Sequence, residues 1–284
     1  MAPTNLLAGK TAIISGATTG IGRAIALAYI RQGCNVVVNH LDLARDATHL
    51  DSILSEAAAL RVNAPPGVTI GRIDHLPGDI TDPATGRKLV EYAVEKMGTG
   101  RLDICVSNAG ICTFAEFLDL EPDLFSRTVR TNLDGAFYVV QAAARQMAAQ
   151  YEQDLAKDPN AKPSGGSIIG VSSISALVGG GQQTHYTPTK AGVLSLMQSC
   201  AVALGKYNIR CNALLPGTIR TQLNDVDLSD PAKREYMEGR IPLGRTGAPV
   251  DMAGPAVFLA CEDLSGYVTG SQLLVDGGLF VNLQ

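Results

Sequence analysis

The chain has 284 residues, of which 46% are hydrophobic and 18% charged; this supports one substantial core and excludes a disordered chain. Its formal charge is −4, and its basic residues are scattered in ones and twos. A nucleic-acid or anionic-membrane partner would need a clustered positive field, so neither is expected. The four histidines (His40, His49, His75, His185) lie far apart without ligand spacing, so no metal site is expected. The six cysteines (Cys34, Cys105, Cys112, Cys200, Cys211, Cys261) form no C-x-x-C pair and fall mostly in apolar runs, which reads as buried thiols in a reducing compartment. No apolar stretch approaches a membrane span, and "MAPTNLLAGK" lacks the apolar region of a signal peptide. A cytoplasmic protein is expected.

In chain order, a strand-like run at 10–15 leads into a helix near 21–33, and a second at 35–39 into a helix near 46–61. A third at 68–73 precedes a helix at 83–97, announced by Asp82-Pro83; a fourth at 102–107 precedes 122–150, announced by Glu121-Pro122. Strands at 167–172 and 209–215 bracket a helix over 185–205, and a final helix at 249–262 precedes a strand at 272–276. Strands that are apolar on both faces and alternate with helices predict an α/β fold. The expected architecture is a single doubly wound, Rossmann-type parallel sheet of about seven strands with helices on both faces, spanning residues 1–284. Residues 151–166, polar and rich in Pro and Gly, read as an insertion lengthening the preceding helix. Residues 218–247 are a long connection after a strand end, where loops act as lids, and read as a substrate lid.

The first strand runs into "SGATTGIG", with Gly16, Thr18, Thr19, Gly20, Ile21 and Gly22 at the start of a helix. Such a turn lets backbone N–H groups approach a pyrophosphate and adds the donors of a helix N-terminus. Taken alone it is also an ordinary strand-to-helix turn. Its spacing, G-x-x-x-G-x-G, differs from the common G-x-G-x-x-G. An acidic residue ending the second strand would select NAD through the adenosine ribose. Here "VVVNHLD" puts Asn39 and His40 there, and the nearest downstream base is Arg45, so charge selects neither NAD nor NADP.

Tyr186 and Lys190 are four apart in a helical segment and share a face. A free phenol titrates near pH 10, and a neighbouring ammonium is expected to lower that value and make the tyrosine a working base. Ser173, at the preceding strand end, can hydrogen-bond the reacting oxygen.

With these pieces together the chain resembles the short-chain dehydrogenase/reductase family over its whole length. The resemblance rests on "SGATTGIG", Asp79 in "GDITD", "SNAG" at 107–110, Asn132 in "TNLDG", Ser173, Tyr186, Lys190, "PGTIRT" at 216–221 and "VDGG" at 275–278. It implies that Asp79 and Ile80 border the adenine and that Asn108, Ala109 and Gly110 line the cofactor. Asn132 would support a proton path to Lys190, which would also grip the nicotinamide ribose. Pro216, Gly217, Thr218, Ile219 and Thr221 would bind the cofactor, Thr218 and Thr221 touching the carboxamide or phosphates. Two departures stand out: Ser15 for the usual Thr, which keeps the hydroxyl, and Ser107 for the usual Asn, which loses an amide.

A finer similarity, carried by "VVVNHL", "SSISALVGG", "QTHYTPTKAGVLSLMQS", "GRIPLGR" and "LLVDGGLFVNLQ", is to fungal dehydrogenases that oxidise L-rhamnose at C1. It implies a small-molecule sugar substrate and NAD as the favoured acceptor, with NADP left open. Ser175, Gln182, Gln183 and His185 are candidates for the sugar hydroxyls. A 3-oxoacyl-carrier reductase, with Arg127 and Arg130 meeting an acidic carrier, is a second reading, and a cofactor sensor without turnover a third. The resemblance also implies a homo-oligomer, a tetramer or dimer, built through 122–150 and 185–205.

Overall fold

Residues 5–161 and 163–282 are described by a computed structural model. The side chain of Arg45, the base nearest the expected adenosine site, lies outside what is described.

Seven short strands, β1 (Thr11–Ile14), β2 (Asn35–His40), β3 (Ile73–Pro77), β4 (Ile104–Ser107), β5 (Gly166–Val171), β6 (Ile209–Pro216) and β7 (Gln272–Val275), form one sheet in the order β3-β2-β1-β4-β5-β6-β7. Every pairing is parallel. All residues of β1, β4 and β6 are buried, because helices cover both faces; that is why these segments are mostly apolar and do not alternate with exposed polar residues. The helices are α1 (Gly20–Arg31), α2 (Ala44–Val62), α3 (Pro83–Lys96), α4 (Pro122–Val129), α5 (Gly135–Lys157), α6 (Thr187–Leu204), α7 (Asp225–Leu228), α8 (Pro231–Arg240), α9 (Ala253–Ala260) and α10 (Glu262–Ser265). On one face α1 and α9 pack with Ile25, Tyr29, Ile30 and Val257 in the core. On the other, α3, α5 and α6 bury Leu89, Val139, Met147 and Met197. Sequence signals set several helix starts: Asp82 caps α3, accepting from the Ala84 N–H at 2.9 Å, with Pro83 at the first helical position.

Three expected elements shift. The third strand occupies 73–77, not 68–73, because Gly71 donates to Ile30 O at 2.8 Å and is held against α1, so sheet pairing begins with Val36 opposite Ile73. The stretch 122–150 is not one helix: a π-turn over Arg130–Asp134 separates α4 from α5, and α5 then runs on to Lys157 inside the polar segment. The stretch 249–262 splits into a 3₁₀ turn (Pro249–Met252), α9 and α10, parted where Cys261 is extended.

At the β3 edge, bonds to β2 alternate along the strand, from Val36 N–H to Arg72 O through to Gly78 N–H to His40 O. Residues 73, 75 and 77 therefore turn outward. The His75 N–H is bonded instead to Asp74 Oδ1 at 2.8 Å, and Asp74 Oδ2 accepts from the Tyr92 hydroxyl at 2.8 Å. Among the described residues, no helix is long and apolar enough to cross a membrane.

The chain leaves β1 toward β2 on one side, and β4 flanks it on the other, so the sheet's winding reverses at β1. A crevice opens there, outside the carboxyl ends of the strands.

Candidate active site

That crevice is a continuous cleft of about 1740 Å³. Its floor is the glycine loop. Gly16 has φ +60, and a Cβ there would lie 2.9 Å from Ala109 Cα. At Gly22 a Cβ would meet Asn108 Nδ2 and Gly16 O, both at 2.6 Å, so Gly22 serves this close approach from beneath and is not on the cleft wall. Thr18, Thr19, Gly20 and Ile21 are on the wall. Thr19 makes no capping bond, so the first N–H groups of α1 are left without a side-chain partner at the cleft. Ser15 Oγ accepts from the N–H groups of Asn108 and Ala109 at 3.0 and 3.1 Å, and Asn108 Nδ2 donates back to Ser15 O and Gly16 O at 3.0 and 2.8 Å. The hydroxyl kept at position 15 thus joins the ends of β1 and β4.

At one end the wall is formed by Asn39, His40, Asp79 and Ile80. Asn39 Nδ2 donates to Leu76 O and Gly78 O, at 3.3 and 2.9 Å, which commits its amide to the fold. His40 Nδ1 accepts from the Asp42 N–H at 3.1 Å, so Nε2 carries the proton and donates to His75 Nδ1, 3.2 Å away. Burial first, then His75, holds the His40 imidazole below its ordinary value, which keeps it neutral.

At the other end lie Ser173, Tyr186 and Lys190. Tyr186 sits at the entrance to α6, and Lys190 N–H donates to Tyr186 O at 3.2 Å, so the two side chains are one helical turn apart. Ser173 stands beside the Tyr186 hydroxyl and favours its ionised form, and Ser173 Oγ accepts from the Ser175 N–H at 3.0 Å. Lys190 Nζ is 5.6 Å from the Tyr186 ring centroid and donates to Val171 O at 3.0 Å. The ionisation differs from the sequence expectation. Burial pushes the Tyr186 phenol up and the nearby Cys112 thiol adds to this, while Ser173 opposes both. Burial brings Lys190 down to about 8. Burial dominates both shifts: the phenol stays neutral, while Lys190 keeps its proton near pH 7 but releases it more readily than a free lysine.

Asn132 does not reach the wall. It clamps the loop after β4, with Oδ1 accepting from the Ile111 N–H at 2.8 Å and Nδ2 donating to Ile111 O at 2.9 Å. Its Nδ2 also donates to Thr189 Oγ1 at 3.2 Å, and Thr189 Oγ1 donates to Tyr186 O at 2.7 Å. The π-turn aims Asn132 into this position. A Cβ at Gly110 would lie 3.2 Å from Asn132 Oδ1 and 3.4 Å from Lys190 Nζ, so both side chains converge on that glycine. Ala109, Gly110 and Asn108 line the cleft, as do Pro216, Gly217, Thr218, Ile219 and Thr221.

Of the substrate candidates, Ser175, Gln182 and Gln183 line the cleft. His185 does not: it is fully buried, and neither ring nitrogen has a partner, because the turn that presents Tyr186 to the cleft sends the preceding side chain behind it. Sequence reasoning did not single out Cys112, Phe114, Lys233 or Met237, which also line this end. Cys112 accepts from Gln183 Nε2 at 3.4 Å. Its place two residues after "SNAG" was an available signal; Lys233 and Met237 had none beyond falling inside 218–247.

The residues present fit a nicotinamide dinucleotide. The uncapped start of α1 offers donors for a pyrophosphate, the two close-packed glycines clear the approach, and the cleft is long enough to run from His40 to Tyr186.

The profile of a family described as enoyl-(acyl carrier protein) reductase matches residues 16–280. The L-rhamnose-1-dehydrogenase of Scheffersomyces stipitis is 58% identical, covering 99% of this chain and 100% of that one. The L-rhamnose 1-dehydrogenase (NAD(P)(+)) of Azotobacter vinelandii is 54% identical, over 98% and 100%. Among solved structures, a short-chain type dehydrogenase/reductase from Mycobacterium marinum superposes with a TM-score of 0.78 at 35% identity, covering 96% of each chain. On these likenesses the chain belongs to the short-chain dehydrogenase/reductase family.

Proposed function

We propose that this protein is an NAD(P)-dependent dehydrogenase that oxidises L-rhamnose at C1 to its lactone. The observation that carries the reading is Tyr186, beside Ser173 and one turn from Lys190, in a cleft that fits a dinucleotide. The end-to-end similarity to two L-rhamnose 1-dehydrogenases supports the choice of sugar.

Ser173 Oγ holds the C1 hydroxyl oxygen and orients it on Tyr186. Tyr186 Oη takes the hydroxyl proton as the C1–H bond breaks, so the ring hemiacetal becomes an ester carbonyl. A bound oxidised nicotinamide supplies the carbon that accepts the hydride and a positive ring charge that favours the phenolate. Lys190, at about 8 on its own, holds its proton beside the phenolate and grips the ribose. Asn132 keeps the Ile111 loop and Thr189 in register with Tyr186. Ser175, Gln182 and Gln183 receive the remaining hydroxyls, beneath a lid formed by 218–247. Asn39 and His40 put no carboxylate at the end of β2, which supports use of either dinucleotide, and the preference for NAD comes from the resemblance alone. The protein works in the cytoplasm as a homo-oligomer joined through α5 and α6, where Phe137 and Val202 are exposed.

The test is a panel of aldoses with NAD or NADP, followed by nicotinamide absorbance. L-Rhamnose is expected to give the highest kcat/KM. Arg127 and Arg130 at the cleft mouth favour one rival, a reductase of carrier-bound 3-oxoacyl groups. Reduction of acyl thioesters with no sugar oxidised would replace the proposed reading by that one.

A further inference from the structure

Residues 218–247 reach across the cleft and touch the facing walls at two separated places. Toward the glycine loop, Gln222 Nε2 lies 3.1 Å from His49 Nε2 on α2. Toward Tyr186, Lys233 Nζ stands 5.4 Å from the ring centroid of Phe114, on the loop after β4. Lys233 and Met237, one turn apart on α8, both face the cleft. No residue of α8 is buried, so packing into the core does not hold this helix where it is. The ion pair of Glu238 with Arg220, at 2.8 Å, ties α8 to its own segment, and outside it Asn282 Nδ2 donates to Arg240 O at 2.8 Å, holding the last residue of α8 and leaving its cleft-facing start to the Lys233 contact.

We propose that Lys233 is a specificity-determining residue: seated on Phe114, it closes α8 over the substrate end of the cleft and fixes the hydroxyl pattern a sugar beneath it must present. The inference rests on the sugar-oxidising reading above. An ammonium is drawn to the face of an aromatic ring, and the attraction grows as water leaves. The lysine stem covers apolar surface while its head stays at the polar side of the pocket. A hydrogen bond from a charged donor to a sugar hydroxyl is stronger than one from a neutral group. A cation here therefore favours a hydroxyl and penalises a methyl group at the same place, in a wall otherwise apolar at Leu223, Leu228 and Met237.

The experiment compares the full-length protein with Lys233→Met, Lys233→Arg, Phe114→Leu and the Lys233→Met/Phe114→Leu double variant. Steady-state rates are measured on L-rhamnose, on L-mannose, which adds a C6 hydroxyl, and on L-lyxose, which lacks C6. Amide exchange in α8 and affinity for reduced nicotinamide dinucleotide are measured alongside. Lys233→Met is expected to raise KM for L-rhamnose roughly three- to tenfold, the size of a partly desolvated cation–ring contact, with kcat nearly unchanged. It should also alter the ranking of the three sugars, speed exchange in α8 and leave dinucleotide affinity intact, and Lys233→Arg should restore all of these. The double variant should cost less than the two single changes combined. Unchanged KM and ranking in Lys233→Met, or strictly additive effects, would overturn the proposal. If the wild type oxidises no sugar, the functional reading fails separately; unchanged α8 exchange in Lys233→Met then sinks the closure as well.

Discussion

Tyr186 and Lys190 meet in a place where water cannot help either to ionise, and the sign of each shift makes a prediction. Lys190 binds its proton less well in the folded chain, at about 8, than at the ordinary 10.5. Between those values the unfolded chain holds more protons, so this group makes stability rise with pH, by at most about 1.4 kcal/mol per unit. Its contribution is complete above 10.5 and is lost as pH falls through 8. Tyr186, shifted upward, acts oppositely: its contribution is present below its ordinary 10.0 and is lost at higher pH. Urea unfolding of the dinucleotide-free protein between pH 8 and 10 should therefore show a steeper rise for wild type than for Lys190→Met; equal slopes would exclude the lowered lysine. For turnover, Tyr186→Phe should reduce kcat roughly a hundred- to ten-thousand-fold while affinity for reduced dinucleotide holds. The pairing of these two residues was legible from spacing alone. Their ionisation was not, because spacing gives the attraction between two groups and says nothing of the solvent each has lost. His185 failed for a related reason: a polar residue beside Tyr186 in sequence is turned away from the cleft by the geometry of the turn.

Among the elements, the glycine turn at the cleft leaves little room for a side chain. A Cβ at Gly22 would lie 2.6 Å from the Gly16 carbonyl oxygen and from the Asn108 amide, and backbone cannot give way as a flexible side chain can. Gly22→Ala should cost about 1–3 kcal/mol and weaken dinucleotide binding. Gly205→Ala is the control: a Cβ there meets nothing within 4 Å, and the change should be neutral or stabilising by up to about 1 kcal/mol. Thermal unfolding and dinucleotide titration of both variants check this, and equal effects would remove the argument from crowding. Six of seven strands, and the starts of α3 and α4, could be read from apolar runs and Asp-Pro or Glu-Pro signals. The third strand could not, since Val68–Ile73 has strand-like composition and only the bond from Gly71 to α1 reveals that it is a connector. The π-turn at Arg130–Asp134 left no trace in periodicity, because one extra residue in a helix barely disturbs the pattern.

For the whole molecule, the parallel sheet gathers every strand's carboxyl end on one side, and residues far apart in sequence, from Gly16 to Thr221, reach one cleft. The family resemblance was readable because those residues are fixed by backbone geometry; the α8 wall was not, since nothing in local sequence states which side of a long connection faces inward. Of the six cysteines, Cys34, Cys105, Cys211 and Cys261 are buried, while Cys112 and Cys200 are only partly so. A thiol reagent on the native protein should label Cys112 and Cys200 quickly and the others only on unfolding, and dinucleotide should slow Cys112 selectively. Labelling of a buried thiol at the same rate would contradict the packing. The outer margin of β3 has a further consequence. Of its three outward positions, 75 has its donor occupied by Asp74 and 77 is a proline without one. A foreign strand docking there would find a donor at only one of the three positions, which makes the margin a poor template for pairing with another copy of this chain. Replacing Asp74 by Ala and Pro77 by Thr together should make concentrated solutions scatter light on mild heating before the wild type does, and identical scattering onsets would show that the margin is guarded by something else.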